Sequence, residues 1–320
     1  MKKKTNSKSK LKISPNEILT HKDTIPKDHH CSCDYCVTNF LGEIYDTENN
    51  LFYNSRARYS YYPKKDVKDG HLDPGHYQGY RWAIQQFTKP GDWILDPTVG
   101  TGTAIVEAIN NERNGIGIEL EYAHLTQEAI DAQYARETDK ATGKYLFRQG
   151  DAKVIGDYLD QWGIEKNSIQ MIINGTPYPK LSGRSSDSPE RKVFSVDKEQ
   201  EKLVIDADNS FDYIHPENIG LTKGNDYWNL VNTMYEQSLP YLKPGGYFVT
   251  IIKDMVQEKK PYSLHKMVTD SLLQNPELEY YGSFLHHHWP PTLFMSTYPL
   301  RFPDVKVPRY QTGIVLRKKL

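Results

Sequence analysis

Asp96, Glu119, Asp151 and Asn174 each stand at or just beyond the end of a short apolar run, where a parallel sheet would present them to a ligand. The first run, Trp93 to Leu95, stops at Asp96-Pro97, and Gly100 and Gly102 follow. Thr103 then opens a helical pattern with Ile105, Ala108 and Ile109 on one face, and a second run, Ile116 to Ile118, ends in Glu119. The distance from Gly102 to Glu119 is what one helix and one returning strand require. Glycine torsions let backbone approach a ligand closely, and a carboxylate at a second strand end can accept hydrogen bonds from both hydroxyls of a ribose. The chemistry on offer is therefore the holding of a nucleotide-like molecule. The dinucleotide fingerprint G-x-G-x-x-G is not met, because Asp96-Pro97 precedes the turn and no third glycine follows. Asp151 comes after the run Tyr145 to Phe147 and can also cap a helix over 152–159. The run from Ser168 to Ile173 ends in Asn174-Gly175-Thr176-Pro177-Tyr178-Pro179, residues equally at home in an ordinary strand-end turn.

Asp96-Pro97-Thr98-Val99-Gly100-Thr101-Gly102-Thr103 resembles the D-P-F-x-G-x-G-T motif of the S-adenosylmethionine-dependent amino-methyltransferases that act on adenine N6 or cytosine N4 of DNA. Thr98 replaces the family's phenylalanine and so removes an apolar wall of the cofactor site. The resemblance implies that S-adenosylmethionine lies against Asp96, Pro97, Thr98, Gly100, Gly102, Thr103 and Glu119, with Asp151 near its adenine amino group. It also implies that the loop after the fourth strand, (Asp/Asn/Ser)-Pro-Pro-(Tyr/Phe/Trp) in the family, holds a flipped base. The first side chain and the next carbonyl there accept hydrogen bonds from the target amino group, and the aromatic ring stacks on the base. In direct alignment Gly175, Thr176, Pro177 and Tyr178 fill the four places, and glycine has no side-chain acceptor. Asn174 supplies one if Gly175 lets the loop bulge by a residue.

Those loops need a sheet and helices to carry them. Apolar spacing predicts helices over Tyr80 to Phe87, Tyr122 to Arg136, Tyr227 to Leu239 and Leu264 to Leu273. Lys243-Pro244-Gly245-Gly246 reads as a tight turn before a strand from Tyr247 to Ile252, and the runs Tyr280 to Leu285 and Gly313 to Leu316 as a closing antiparallel pair. The resemblance spans about residues 75–316 and implies an α/β, Rossmann-like methyltransferase fold, a seven-stranded mixed sheet with helices on both faces. On this reading residues 1–70 are a small N-terminal extension, 71–320 the methyltransferase domain, and 180–225, which loses periodicity, a candidate target-recognition insertion.

The extension holds three features. Six lysines among the first twelve residues read as a solvated tail. Cys31, Cys33 and Cys36, all the cysteines of the chain, gather beside His30; three thiolates and an imidazole suit a structural zinc, and free thiols in a loop fit the sequence as well. Residues 50–80 interleave Tyr53, Tyr59, Tyr61 and Tyr62 with Arg56, Arg58, Lys64 and Lys65. Rings and cations so mixed either stack bases, at roughly 1–3 kcal/mol per base, or cover the outer face of the sheet. Near the other end, His286-His287-His288 are neighbours that a strand would point to opposite faces, which disfavours a metal site.

The chain has 320 residues, 38% of them hydrophobic, and a formal net charge of -1. Bulk charge therefore draws no polyanion, and contact with nucleic acid must come from local patches. The mean hydropathy of -0.70 suits a polar surface. No apolar run approaches the roughly 20 residues of a membrane span, no apolar stretch follows the lysine-rich start, and few cysteines are used, which together predict a cytoplasmic protein. The reading that results is methyl transfer to an exocyclic amino group of DNA, with a cognate restriction nuclease as an implied partner. Two rivals stand beside it: an RNA amino-methyltransferase, and a nucleic-acid-binding subunit whose site has lost catalysis.

Overall fold

The computed structural model describes residues 43–46, 51–54, 77–136, 143–179, 193–197, 202–206, 215–257, 260–287 and 310–320. In chain order these form β1 (Glu43–Asp46), β2 (Leu51–Asn54), α1 (Tyr77–Phe87), β3 (Trp93–Asp96), α2 (Thr103–Asn110), β4 (Asn114–Glu119), α3 (Ala123–Arg136) and β5 (Tyr145–Gln149). Then come α4 (Ile155–Gln161), β6 (Ile169–Asn174), β7 (Val193–Asp197), β8 (Lys202–Asp206), α5 (Gly224–Ser238) and β9 (Leu242–Lys253). The chain closes with β10 (Met255–Gln257), β11 (Lys260–Tyr262), α6 (Leu264–Leu272), β12 (Leu278–His287) and β13 (Tyr310–Lys318).

The main sheet runs β2-β1-β12-β13-β9-β6-β3-β4-β5. Its seven strands from β12 to β5 are the mixed sheet expected of the sequence. Within it β9, β6, β3, β4 and β5 are mutually parallel, while β13 runs antiparallel to both of its neighbours. The hairpin of β1 and β2 extends this sheet to nine strands by pairing Glu43 with His287 and Asp46 with Phe284, so residues before position 70 contribute to its edge. A separate hairpin, β7 with β8, lies inside the stretch 180–225.

Parallel strands with helices on both sides must be apolar on both faces, and the central ones, β3, β4 and β6, are buried along nearly their whole length. Met171 and Ile173 of β6 pack with α1 and α2 residues such as Ala83, Ile84, Ile105 and Ile109. Ile172, one position between them, packs on the other side with Ile155, Leu159, Val231, Met234 and Val268, from α4, α5 and α6. Helix α2 sits close to β4 because Gly117 lacks a side chain: a Cβ there would lie 2.5 Å from Ile105 Cδ1. That close approach does the work of the third glycine that the turn itself lacks.

Two elements differ from expectation. Lys243 to Gly246 is a bulge inside β9 and no turn before it: between the pairs Ile169–Leu242 and Met171–Tyr247 the ladder advances two residues on β6 and five on β9. Gly245, at φ 74°, absorbs the irregularity. The helix expected over 152–159 is a 3-10 turn, Ala152–Val154, followed by α4. No described helix is long and apolar enough to cross a membrane.

Candidate active site between the ends of β3 and β6

The strand order reverses direction between β3 and β6: from β3 the chain proceeds outward to β4 and β5, then returns to β6 on the other side. Such a switch point opens a crevice at the carboxyl ends of the strands, where ligands of open α/β sheets bind. Both predicted motifs end up there. Asp96 closes β3 and Asn174 closes β6, and the Asn174 Nδ2 donates to Thr98 Oγ1 at 3.4 Å.

On the β3 side Asp96 is 2% exposed, and its Oδ1 accepts the Thr98 N–H at 3.0 Å. Burial holds its carboxyl well above the usual carboxylate range, and the nearby charge of Glu119 adds to this against the Thr98 hydrogen bond. The turn passes through Gly100 at φ 56° and Gly102 at φ 92°, left-handed torsions that side chains disfavour. Thr126 of α3 clamps it by donating its hydroxyl to the Gly100 carbonyl at 2.5 Å. In front of Gly100 the space is open; a Cβ added there would meet nothing within 4 Å.

Glu119 braces the same turn. Its Oε2 accepts the Gly100 N–H at 2.8 Å, and its Oε1 accepts the N–H groups of Glu121 and Tyr122 at 2.9 and 3.1 Å. Burial pushes its pKa up, opposed by these three amides. Of the about four lone-pair directions of a carboxylate, one remains for a ligand hydroxyl while the Gly100 contact persists. Sequence reasoning gave Glu119 to a ribose; its second task, holding the glycine turn, had no signal in the sequence.

Asp151 occupies the end of β5 and caps the 3-10 turn, accepting the Lys153 N–H at 2.9 Å. Lys153 Nζ stands 3.2 Å from Asp151 Oδ2 and 2.7 Å from Glu217 Oε2. The Glu217 carboxylate is held below its ordinary pKa by this ammonium group. Glu217 lies near the end of the stretch 180–225, which also fastens to Glu121 through the His215 N–H at 2.9 Å and Asn218 Nδ2 at 3.0 Å. This part of the stretch thus rests against the acids that follow β4 and β5.

On the β6 side the loop is held by buried hydroxyls. Asn174 is fully buried, stays in the β6 ladder opposite Thr250, and accepts the Tyr235 hydroxyl at 3.3 Å. The Thr176 hydroxyl lies 2.6 Å from that of Tyr235 and 2.9 Å from that of Thr250. Tyr235 comes from α5 and Thr250 from β9. Burial, first of all, raises the Tyr235 phenol to about 12, against its hydrogen bonds to Thr176 and Asn174. Further along, the Tyr227 hydroxyl donates to the Pro177 carbonyl at 2.5 Å, and Tyr178 accepts the Lys253 N–H at 3.3 Å. Asn174 thus sits beneath the loop with its amide turned to Thr98 and Tyr235, while Gly175, Pro177 and Tyr178 are half-buried and nearer the opening. Tyr235 and Thr250 escaped the sequence reading, since one was a helix-face aromatic and the other a strand residue.

Cys31, Cys33, Cys36 and His30 lie outside the described residues, as do the lysine-rich start and most of the Tyr/Arg stretch over 50–80. Among the described residues no group of three or more His, Cys, Asp or Glu side chains could hold a metal ion. His286 is fully buried in β12, and His288 is outside the described set.

Residues 49–129, which contain the turn and both of its acids, match the family model described as DNA methylase. The likeness, over this stretch alone, is to the adenine-N6/cytosine-N4 DNA methylases. The chain is also 34% identical over 77 residues to a type II methyltransferase, M.MthZI, of Methanothermobacter thermautotrophicus; the match takes in 24% of this chain and 19% of that relative. The chain therefore spans about a fifth of the curated relative's length. Among solved structures, the YcgJ protein of Bacillus subtilis is 10% identical with a TM-score of 0.41, over 77% of this chain and all of that one. An rRNA methylase of Streptococcus thermophilus is 10% identical with a TM-score of 0.38, over 76% of this chain and 96% of the other.

Proposed function

We propose that the protein transfers a methyl group from S-adenosylmethionine to an exocyclic amino group of DNA, cytosine N4 or adenine N6. The observation that carries this reading is the meeting of the DNA methylase turn and the Asn174–Tyr178 loop at one switch point, with Thr98 and Asn174 in side-chain contact at 3.4 Å. A cofactor motif alone would serve many ligands; a base-holding loop beside it narrows the chemistry. The open space before Gly100 and the buried acids at the β3 and β4 ends suit a cationic nucleoside. Bound there, S-adenosylmethionine supplies an electrophilic methyl carbon whose bond to sulfur breaks as the amino nitrogen's lone pair bonds to it, leaving a neutral thioether.

This chain's residues have the remaining work. Gly100, Gly102 and Thr103 would lie along the amino-acid end, Glu119 at the ribose and Asp151 at the adenine. An exocyclic amino nitrogen is a poor nucleophile because its lone pair is delocalised into the ring. Accepting hydrogen bonds from its two hydrogens draws it toward tetrahedral geometry and aims the lone pair. The Thr176 carbonyl and the Tyr178 ring are the loop's contributions to that task, and the surplus proton leaves to water after transfer. A cognate nuclease belongs to the same proposal, in keeping with the type II name of the relative.

One observation favours a second reading. With Asn174 turned to Tyr235 and Thr98, and glycine at 175, the loop itself offers no side-chain acceptor to the base. A DNA-binding subunit that keeps its cofactor turn and has lost transfer would look the same at this point. Calorimetry with S-adenosylmethionine, followed by tritiated methyl transfer to unmethylated duplex DNA and to RNA, separates the readings. Cofactor binding with label entering DNA supports the enzyme. Binding with no label in either nucleic acid supports the subunit, and label in RNA alone overturns the DNA assignment.

A further inference from the structure

Gly175 is where the acceptor is missing, and what occupies the space beside it is a hydroxyl from another element. A Cβ built on Gly175 would lie 3.2 Å from the Tyr80 hydroxyl oxygen and 3.5 Å from the Ile251 carbonyl oxygen. The first distance is tighter than ordinary van der Waals contact, so a side chain at 175 and the Tyr80 phenol compete for the same place. The terminal oxygen of an Asn, Asp or Ser at 175 would reach the region that the phenol oxygen now holds.

Tyr80 is well placed to be more than a neighbour. It lies in α1, 5% exposed, and α1 is fixed from two sides. Arg81 makes a two-pronged pair with the fully buried Glu107 of α2, Nε to Oε2 at 2.7 Å and Nη2 to Oε1 at 3.1 Å. Gln85 Nε2 donates to Asn111 Oδ1 at 2.8 Å, and Trp82 packs its ring on Phe284 at 4.7 Å between centroids. A Cβ at the preceding Gly79 would already sit 3.3 Å from Ile251 Cδ1, so the helix presses on β9 at this point. The phenol is therefore held in position in advance, as an orienting group must be. A phenol oxygen has two lone pairs and can accept an amino hydrogen wherever its own hydrogen points.

We propose that the Tyr80 hydroxyl accepts one hydrogen of the target amino group, in the place of the side chain that Gly175 lacks. The Thr176 carbonyl accepts the other. The nitrogen's lone pair then forms the bond to the methyl carbon as the carbon–sulfur bond breaks toward sulfur, and the extra proton goes to water. Gly175 and Tyr80 form a matched exchange: the acceptor has moved from the loop to the helix, and the loop has become small to admit it. This inference rests on the methyl-transfer reading above.

The test compares the full-length protein with Tyr80→Phe, Gly175→Asn and the double variant Tyr80→Phe/Gly175→Asn. Each is given S-[methyl-³H]adenosylmethionine and unmethylated duplex DNA, and S-adenosylmethionine affinity is read separately by calorimetry. Loss of one orienting hydrogen bond should lower kcat by about 10- to 100-fold in Tyr80→Phe. Cofactor Kd and the DNA KM should change less than about threefold, within the spread of a contact made only on the way to the transition state. Gly175→Asn alone, crowding the phenol, should also be slow. The double variant, with an acceptor restored and the phenol oxygen gone, should recover at least about tenfold over Tyr80→Phe, a rescue that a merely structural tyrosine would not give. Tyr80→Phe at near wild-type rate overturns the inference alone, and so does a slow Tyr80→Phe that the second change fails to rescue. A wild-type protein that methylates no DNA overturns both the inference and the reading beneath it.

Discussion

Replacing Tyr235 by phenylalanine probes the buried hydroxyl network with almost no change of shape. The oxygen removed is shared between Thr176 Oγ1 at 2.6 Å and Asn174 Oδ1 at 3.3 Å, in a side chain 2% exposed. Thr176 keeps Thr250 as a partner at 2.9 Å, but Asn174 Oδ1 loses the Tyr235 hydroxyl at a site with no solvent. An unsatisfied buried acceptor costs about 1–3 kcal/mol, and one oxygen leaves little cavity to add to it. We expect a loss of about 2 kcal/mol, read in urea as a lower midpoint at unchanged slope. By size scaling that is a fall in Tm of about 3 °C. Asn174→Leu combined with Tyr235→Phe should cost less than the sum of the two by about 1 kcal/mol, because they share one hydrogen bond. The phenol adds a pH signature. Its pKa is raised from 10.0 to about 12, so its contribution is present in full below pH 10 and is lost as pH rises toward 12. The gap between wild type and variant should therefore shrink across that window. A loss under about 0.5 kcal/mol with strict additivity would show that the hydroxyls do not act as a network.

Other expectations concern the turn and the loop. Asp96 has its pKa raised by burial, so it favours the folded state below the ordinary carboxylate pKa and this contribution is lost as pH climbs through the raised value. In thermal melts of the ligand-free protein, Asp96→Asn should gain Tm relative to wild type as pH rises from acid toward neutral; a difference that does not change with pH would contradict the burial effect. Gly102→Ala forces a side chain into φ 92° and within 3.3 Å of Thr126 Cγ2, and should cost about 1–3 kcal/mol in urea and weaken S-adenosylmethionine binding in calorimetry. Tyr178→Ala removes the ring proposed to stack on the base, a contact worth roughly 1–3 kcal/mol, and should slow methyl transfer by about 10- to 100-fold with cofactor affinity nearly intact. Equal loss of both would make Tyr178, which packs on the core and accepts the Lys253 N–H, a structural residue instead.

The parallel core was legible because burial on both faces forces continuous apolar runs. Trp93 to Leu95, Ile116 to Ile118 and Ile169 to Ile173 could hardly be anything else, and the spacing between them set the helices. The turn was legible for a related reason: left-handed torsions at Gly100 and Gly102 leave few other residues usable. What stayed hidden depends on partners far apart in the chain. The four residues Glu43–Asp46 carry no strong strand pattern, and besides the local pairing with β2 it is the edge of β12, over 200 positions later, that joins them to the sheet. The bulge in β9 looked like a turn because glycine and proline mark both. Asn174 has the right type for a base acceptor, and nothing local reveals that Tyr235 and Thr98 take up its amide. Thr98, read from the sequence as a cofactor-site residue in place of a phenylalanine, turns out to be one of those partners. The two departures from the family motif, at 98 and at 175, thus meet in one small region.

Methyl transfer itself is measured by incubating the purified protein with S-[methyl-³H]adenosylmethionine and unmethylated duplex DNA. The DNA is then digested to nucleosides, and the labelled one identified by mass. The label is expected in N4-methyldeoxycytidine or N6-methyldeoxyadenosine. Label in no nucleoside from a protein that binds the cofactor, or in a ring-carbon methyl, would contradict the proposed transfer.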